Sequence, residues 1–249
     1  MRHSFLDKYC RLDSPIHRRD PRAKLVTFTA ALLIIVSEPR GEIRSFLLYY
    51  LLIAIILTVS RVPVAFVLKR CLIVTPFILM AAGLMLLSGT PAGVETTHTL
   101  FGVRVVLALS VALKAYAAVI LLTLLTSTEK FNRLLEGLRS LKMPSLLGVL
   151  SAFIYRYMFI LSDEMMRTTR ARISRTPGRL TTSRISAYGN QAATIFIRSW
   201  ERSQIVYDAM CSRGFRGKFP LRTAMHFHWS DTFFLLGFTV VFLAVRILA

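Results

Sequence analysis

The run PSLLGVLSAFIYRYMFILSDEMMRTTRARISRTPG, residues 144–178, changes character halfway along while keeping a helical pattern. From Leu146 to Leu161 it is nearly all apolar, with Arg156 set between Tyr155 and Tyr157. From Ser162 to Arg175 it is polar and basic. Pro144 suits the first turn of a helix, where an N–H would have no partner, and Pro177-Gly178 must end one. A helix of that length extends about 45 Å at 1.5 Å per residue. A second helix is expected from Ser183, a hydroxyl cap, to Gly214, which suits the left-handed position after a helix end. Residues 144–217 therefore read as two long basic helices, with Ala171-Arg172-Ile173 near the end of the first and Ser212-Arg213-Gly214 at the end of the second. The apolar half is short and has Arg156 at its centre, so the first helix is placed outside the membrane; a further span there is the competing reading.

On both sides of this stretch the chain is built for lipid. Of its 249 residues 54% are hydrophobic and the mean hydropathy is +0.55, too apolar for an ordinary soluble domain. Apolar runs lie at Leu25–Val36, Phe46–Val59, Cys71–Leu87, Val105–Thr126 and Thr232–Ala249. The first two fall short of the roughly 20 residues of a straight span, but Lys24 and Arg44 can snorkel and the bilayer can thin locally. They read as a short transmembrane hairpin turning at Glu38-Pro39-Arg40-Gly41-Glu42. Pro76 is expected to bend the third span, and Ala81-Ala82-Gly83 to let it pack closely. The expectation is an all-α integral membrane protein of about five spans plus long cytoplasmic helices. Residues 1–24 form a basic arm, 25–127 four spans, 128–230 the cytoplasmic helices and 231–249 the last span.

The charge distribution orients it. The formal net charge is +19; residues 1–24 hold seven Lys/Arg against three Asp/Glu and residues 128–230 hold seventeen against six, whereas the rest holds eight against four. Positive charge next to spans marks the cytoplasmic side, so the N-terminus and the long helices are expected there, in a multi-pass cell membrane protein. The loop 88–103, with little positive charge, is expected outside. No cleavable leader is expected, because the first apolar run starts only at Leu25 and lacks a small-residue cleavage pattern.

Single residues carry less. Lys114 falls near the middle of the fourth span, where a charge costs about 2.5–3.5 kcal/mol, so it must face protein or water. It lies within about 60° of Ser110, Ala117 and Ala118 on the helix, which fits either an internally paired lysine or a subunit contact. Glu129–Leu141 reads as an amphipathic helix in the interface plane. On the second long helix, Phe196, Trp200, Tyr207, Met210 and Cys211 form a stripe expected to pack on another helix, with Arg198, Glu201, Arg202 and Asp208 away from its centre.

Several function classes drop out. Cys10, Cys71 and Cys211 are scattered, without the spacing of a disulfide framework or zinc site. Gly214-Phe215-Arg216-Gly217-Lys218 lacks the spacing of a phosphate-cradling loop, so ATP hydrolysis would need a partner. His226 and His228 have no carboxylate or thiol at ligand spacing, and no metal site is expected. The spans offer Lys114 and hydroxyls but no carboxylate or His, against an intramembrane hydrolase. Basic charge also suits a membrane-associated lipid- or nucleic-acid-binding protein, whose binding would fall steeply with salt.

The order of several short motifs is more specific than any one of them. Arg22-Ala23-Lys24-Leu25 precedes the first span, Tyr155-Arg156-Tyr157 lies in the long helix, and Asp163-Glu164 is followed by Arg170-Ala171-Arg172. Arg198-Ser199-Trp200-Glu201-Arg202 follows, then the run Tyr207-Asp208-Ala209-Met210-Cys211-Ser212-Arg213-Gly214-Phe215. Over nearly its whole length the chain resembles the transmembrane coupling (T) subunit, EcfT, of energy-coupling factor transporters, and most closely its cobalt/nickel branch, CbiQ. The resemblance implies two crossing coupling helices, each ending in an Ala-Arg-small motif whose arginine docks on one of a pair of ATP-binding cassette ATPases. Those motifs fall on Ala171-Arg172-Ile173 and Ser212-Arg213-Gly214, with Arg170, Glu201 and Arg202 as supporting contacts. Ile173 and Ser212 depart from the family pattern, so a register centred on Arg170 or Arg175 stays open for the first motif. The resemblance further implies a non-catalytic chain that binds no cofactor, with ATP and Mg²⁺ on the partner ATPases. It implies a CbiM-like substrate-binding membrane subunit, membrane lipids as surroundings and no nucleic acid. Cobalt is the expected substrate, ahead of nickel and vitamin-type compounds.

Overall fold

Asp20-Pro21 is a helix start that hydropathy alone does not show. The Asp20 carboxylate accepts the Arg22 N–H at 2.8 Å and Pro21 takes the first helical position, so α1 runs Pro21–Val36 and begins four residues ahead of the apolar run. In this computed structural model residues 10, 14–17, 19–39, 43–87, 97–175, 183–217 and 229–248 are described. The helices that follow are α2 (Ile43–Ser60), α3 (Val64–Leu87), α4 (Thr97–Thr128), α5 (Phe131–Ser140), α6 (Ser145–Arg175), α7 (Ser183–Ser212) and α8 (Trp229–Leu248). All regular structure among the described residues is α-helical.

Among the described residues four helical segments are long and apolar enough to cross a membrane: Val64–Leu86, Val105–Thr128, Ser145–Arg175 and Trp229–Ile247; Arg44–Ser60 is a shorter apolar helix. The chain is a multi-pass membrane protein. α3 starts well before the apolar run read from sequence, so Lys69 and Arg70 lie inside the helix, and Pro76 is accommodated within it. α6 meets the length and composition of a span despite Arg156. Residues 88–96, most of the expected external loop, lie outside the described residues, as do Arg40, Gly41, Glu42, Pro177, Gly178, His226 and His228.

The chain divides into two units. The larger contains α1–α4, most of α5, and α8; the smaller runs from Arg139 through α6 and α7. In the larger unit α4 packs on α1, α2 and α3, while α8 packs on α1 and α2. Phe28, Tyr49, Leu121, Leu124 and Phe242 are buried between them, and Phe242 stacks on Tyr49 and Phe238 at ring separations of 5.8 and 4.8 Å. Outward positions are just as apolar, with Leu72 72% exposed and Phe77 68%. A helix apolar on all sides suits lipid on its free faces.

Several polar side chains of this unit meet the ends of other helices. Lys114 donates to the carbonyls of Val36 (3.0 Å) and Glu38 (2.6 Å), where α1 has run out of its own N–H partners. It is the internally paired lysine of the two readings open above. Tyr49 donates to the Glu38 carboxylate at 3.0 Å. At the other end Lys24, fully buried, donates to Glu129 Oε2 at 2.5 Å and to the carbonyls of His17 (3.0 Å) and Thr128 (3.3 Å). Arg133 holds the second Glu129 oxygen at 3.4 Å. α5 tucks beneath this corner, with Leu135 buried; a Cβ on Gly137 would stand 3.3 Å from the Pro21 side chain. The approach of α5 to α1 thus depends on that glycine.

Candidate functional site

Three polar rungs join α6 to α7. Arg198 pairs with Glu164 at 2.5 Å. One turn along α6, Gln191 Nε2 donates to the hydroxyls of Thr168 (2.9 Å) and Thr169 (2.8 Å) and to the Met165 carbonyl (3.3 Å). One turn further, the Arg172 guanidinium lies over the Tyr188 ring, 3.9 Å from its centroid. As numbers rise on α6 they fall on α7, so the two helices run antiparallel. The polar half of α6 forms these rungs with the first half of α7.

The side of α7 that meets α6 follows from its four-residue rhythm. Gln191, Ile195 and Ser199 are partly buried, and Val206 and Met210 continue that line. This corrects the stripe expected from sequence: Phe196 is 70% exposed, Trp200 61% and Tyr207 55%, and Cys211 is exposed as well. Of that stripe Met210 is partly buried against α6, while Phe196 and Tyr207 reach only the open edges of the α6–α7 grooves. The helix is rotated because the polar rungs and the slim Ser199 permit a close approach, whereas the aromatic line would hold the backbones apart. Beyond the rungs the helices leave a groove of roughly 620 Å³ between the apolar half of α6 and the second half of α7. Leu150, Phe153, Tyr157 and Leu161 line it on one side, Val206 and Met210 on the other, with Arg202 among its polar lining.

The second arginine motif closes α7 in a defined way. Gly214 has φ +79°, its N–H bonds the Cys211 carbonyl at 2.9 Å, and the Phe215 N–H bonds the Met210 carbonyl at 3.0 Å. These paired bonds are a Schellman turn, and they make Arg213 the residue at which the helix ends, as Gly214 foretells in the sequence. Arg213 is exposed, and Ser212 turns its hydroxyl back onto the Asp208 carbonyl at 2.9 Å. The first motif lies on the last turns of α6. Arg172 is partly covered by Tyr188, Ile173 is 65% exposed, and Ala171, Arg170 and Arg175 are exposed. Glu201 and Arg202 are exposed on α7, a good distance in sequence from both tips.

The antiparallel register separates the two motifs. Arg172 stands beside Tyr188, and the 25 residues from Tyr188 to Arg213 extend about 37 Å along a regular helix. One arginine motif thus belongs to each end of the pair. Such ends offer forked, permanently charged donors suited to a carboxylate or to backbone carbonyls on another protein. Among the described residues no cluster of three or more His, Cys, Asp or Glu is placed to hold a metal.

Reading the sequence missed the rungs. Glu164 and Arg198 each lie in a motif quoted above, yet nothing in either motif states that they pair, because they are 34 positions apart. Gln191 and its two threonines carry no motif at all. Helical spacing within α6, from Glu164 to Thr168 to Arg172, was the available signal.

Comparison with known proteins bears on most of the chain. The family model described as CbiQ, cobalt transport protein, matches residues 13–225. The energy-coupling factor transporter transmembrane protein EcfT of Staphylococcus aureus is 24% identical over 84% of this chain and 83% of its own length. A putative fused cobalt transport protein, CbiMQ, of Methanocorpusculum labreanum is 24% identical over 86% of this chain, which spans only 38% of that relative. The nickel permease LarQ of Lactiplantibacillus plantarum is 30% identical over a shorter stretch, 42% of this chain and 38% of its own.

Proposed function

The chain belongs to the CbiQ cobalt transport protein family, and from that premise we propose that it couples ATP hydrolysis by partner subunits to substrate import. As a member of that family it is a non-catalytic membrane subunit of a transporter. The observation that carries the coupling role is the α6–α7 pair, with an arginine motif at each end, about 37 Å apart. Two tips at that separation suit two ATP-binding cassette subunits, each taking one helix end into a surface groove. ATP and Mg²⁺ stay on those subunits. When they close, the grooves move, and a rigid pair carries the movement to the membrane. The third component is a substrate-binding, CbiM-like membrane subunit that holds the cargo. The charge distribution supports a cytoplasmic N-terminus and cytoplasmic α6 and α7.

Arg213 is the firmer of the two docking residues. A Schellman turn fixes its backbone, and the exposed helix end lets the guanidinium enter a groove. Arg172 fills the same role at the other end, with Ala171 and Ile173 at the contact and Arg170 beside it. Ser212 and Gly214 shape the Arg213 tip, and Glu201 and Arg202 add polar contacts further along α7. Cobalt is favoured as cargo by the family's description and by the fused relative's name. Nickel is the second reading, favoured by the stretch shared with the nickel permease.

Arg213→Ala tests the role. Truncating an arginine buried at such an interface costs about 2–5 kcal/mol of binding. Cobalt uptake by cells carrying the variant is expected to fall to background, with the chain still inserted in the membrane at normal level. Uptake at the wild-type rate would remove Arg213 from the mechanism.

A further inference from the structure

The rungs between α6 and α7 are more polar than holding two helices together requires. Apolar side chains flank them, with Leu161 on α6 and Ile195 on α7, and a leucine at position 191 would continue that surface. Gln191 instead spends its donors on Thr168, Thr169 and the Met165 carbonyl, while its Oε1 is buried with no hydrogen-bond partner among the described residues. Thr168 in turn donates to the Glu164 carbonyl at 3.0 Å, and the Glu164 side chain holds Arg198. The chain of contacts Arg198–Glu164–Thr168–Gln191 therefore crosses between the helices twice within about one turn of α6. Apolar contacts tolerate sliding by a fraction of a turn; directional hydrogen bonds lose strength steeply with angle and distance. Polar contacts of this kind fix one register where apolar packing permits several.

We infer that Glu164, Gln191 and Arg198 are positioning residues that lock the crossing of α6 and α7, and so set how much substrate moves for each ATP hydrolysed. They sit one to two turns from Arg172, so a change of crossing angle displaces both tips relative to each other. With the crossing locked, movement imposed at one end must appear at the other. With it loose, the ATPases close and hydrolyse while the pair absorbs the motion. The inference rests on the coupling role proposed above.

The test uses the full transporter in proteoliposomes, with ATP hydrolysis and ⁵⁷Co²⁺ uptake measured on the same preparation. In Gln191→Leu and Glu164→Gln the complex should purify intact and hydrolyse ATP, while ATP consumed per ion taken up rises about threefold or more. The exchange Glu164→Arg with Arg198→Glu should restore most of the wild-type ratio, because it restores the contact with reversed sign. A structural defect would instead lower complex yield, hydrolysis and uptake together. Spin labels at Met166 and Ile205, both exposed, give a second reading: one narrow distance in the wild type, a broadened one in Gln191→Leu. An unchanged ratio with an unchanged distance would overturn the inference and leave the coupling role standing. A wild-type chain that brings down no ATPase would overturn both.

Discussion

Lys24 is a cation with no exposed surface, set in the first turn of α1. It is tolerated there because three acceptors, the Glu129 carboxylate and two carbonyls, replace its water. Removing one partner of such a pair leaves a buried charge alone, which costs about 3–5 kcal/mol, whereas replacing both by apolar residues is often nearly neutral. Lys24→Met and Glu129→Gln should each lower the thermal midpoint of the detergent-solubilised chain markedly. The double variant Lys24→Met with Glu129→Leu should regain most of that loss. A double variant no better than the worse single one would show that the pair contributes through its carbonyl contacts instead. Lys114 follows the same rule at the opposite end of α1, where it takes up the free carbonyls of Val36 and Glu38.

At the scale of the helix, α7 shows how a sequence signal can be right about an end and wrong about a face. Gly214 after Arg213 is legible as a stop, and the stop is there, at φ +79°. A Cβ at Gly214 would meet nothing within 4 Å, so Gly214→Ala should cost only the left-handed backbone term, about 1 kcal/mol. Amide exchange at residues 214 and 215 should then quicken about fivefold, with Gly214→Asn less affected. No change in exchange would mean that the turn does not hold the Arg213 tip. The packing face of α7 was not legible, because Phe196, Trp200 and Tyr207 are the most apolar line on the helix and still stay exposed. What decides the face is pairing with α6 through Glu164, Thr168 and Gln191, and single-helix periodicity is blind to partners. The start of α1 was missed for a related reason. Hydropathy sees Leu25, whereas the helix begins at a cap, Asp20, and a proline, Pro21, both polar or neutral on that scale. The apolar helices α3, α4 and α8 were legible because long apolar runs show in sequence whatever packs beside them, whereas α6, read as lying outside the membrane, meets the same length and composition.

The whole chain joins an apolar bundle to a basic antiparallel pair and has no phosphate loop of its own in its sequence. Membership of the CbiQ family fits a membrane subunit without a motor of its own, and the coupling role proposed above would give each of two partner ATPases one arginine motif. Affinity purification of this chain from its own membranes, followed by ATP-driven ⁵⁷Co²⁺ uptake after reconstitution, tests the account most directly. The prediction is recovery with ATP-binding cassette ATPases and a substrate-binding membrane subunit, and uptake that stops when ATP is withheld. A chain recovered without ATPases, or cobalt uptake that is indifferent to ATP, would contradict it.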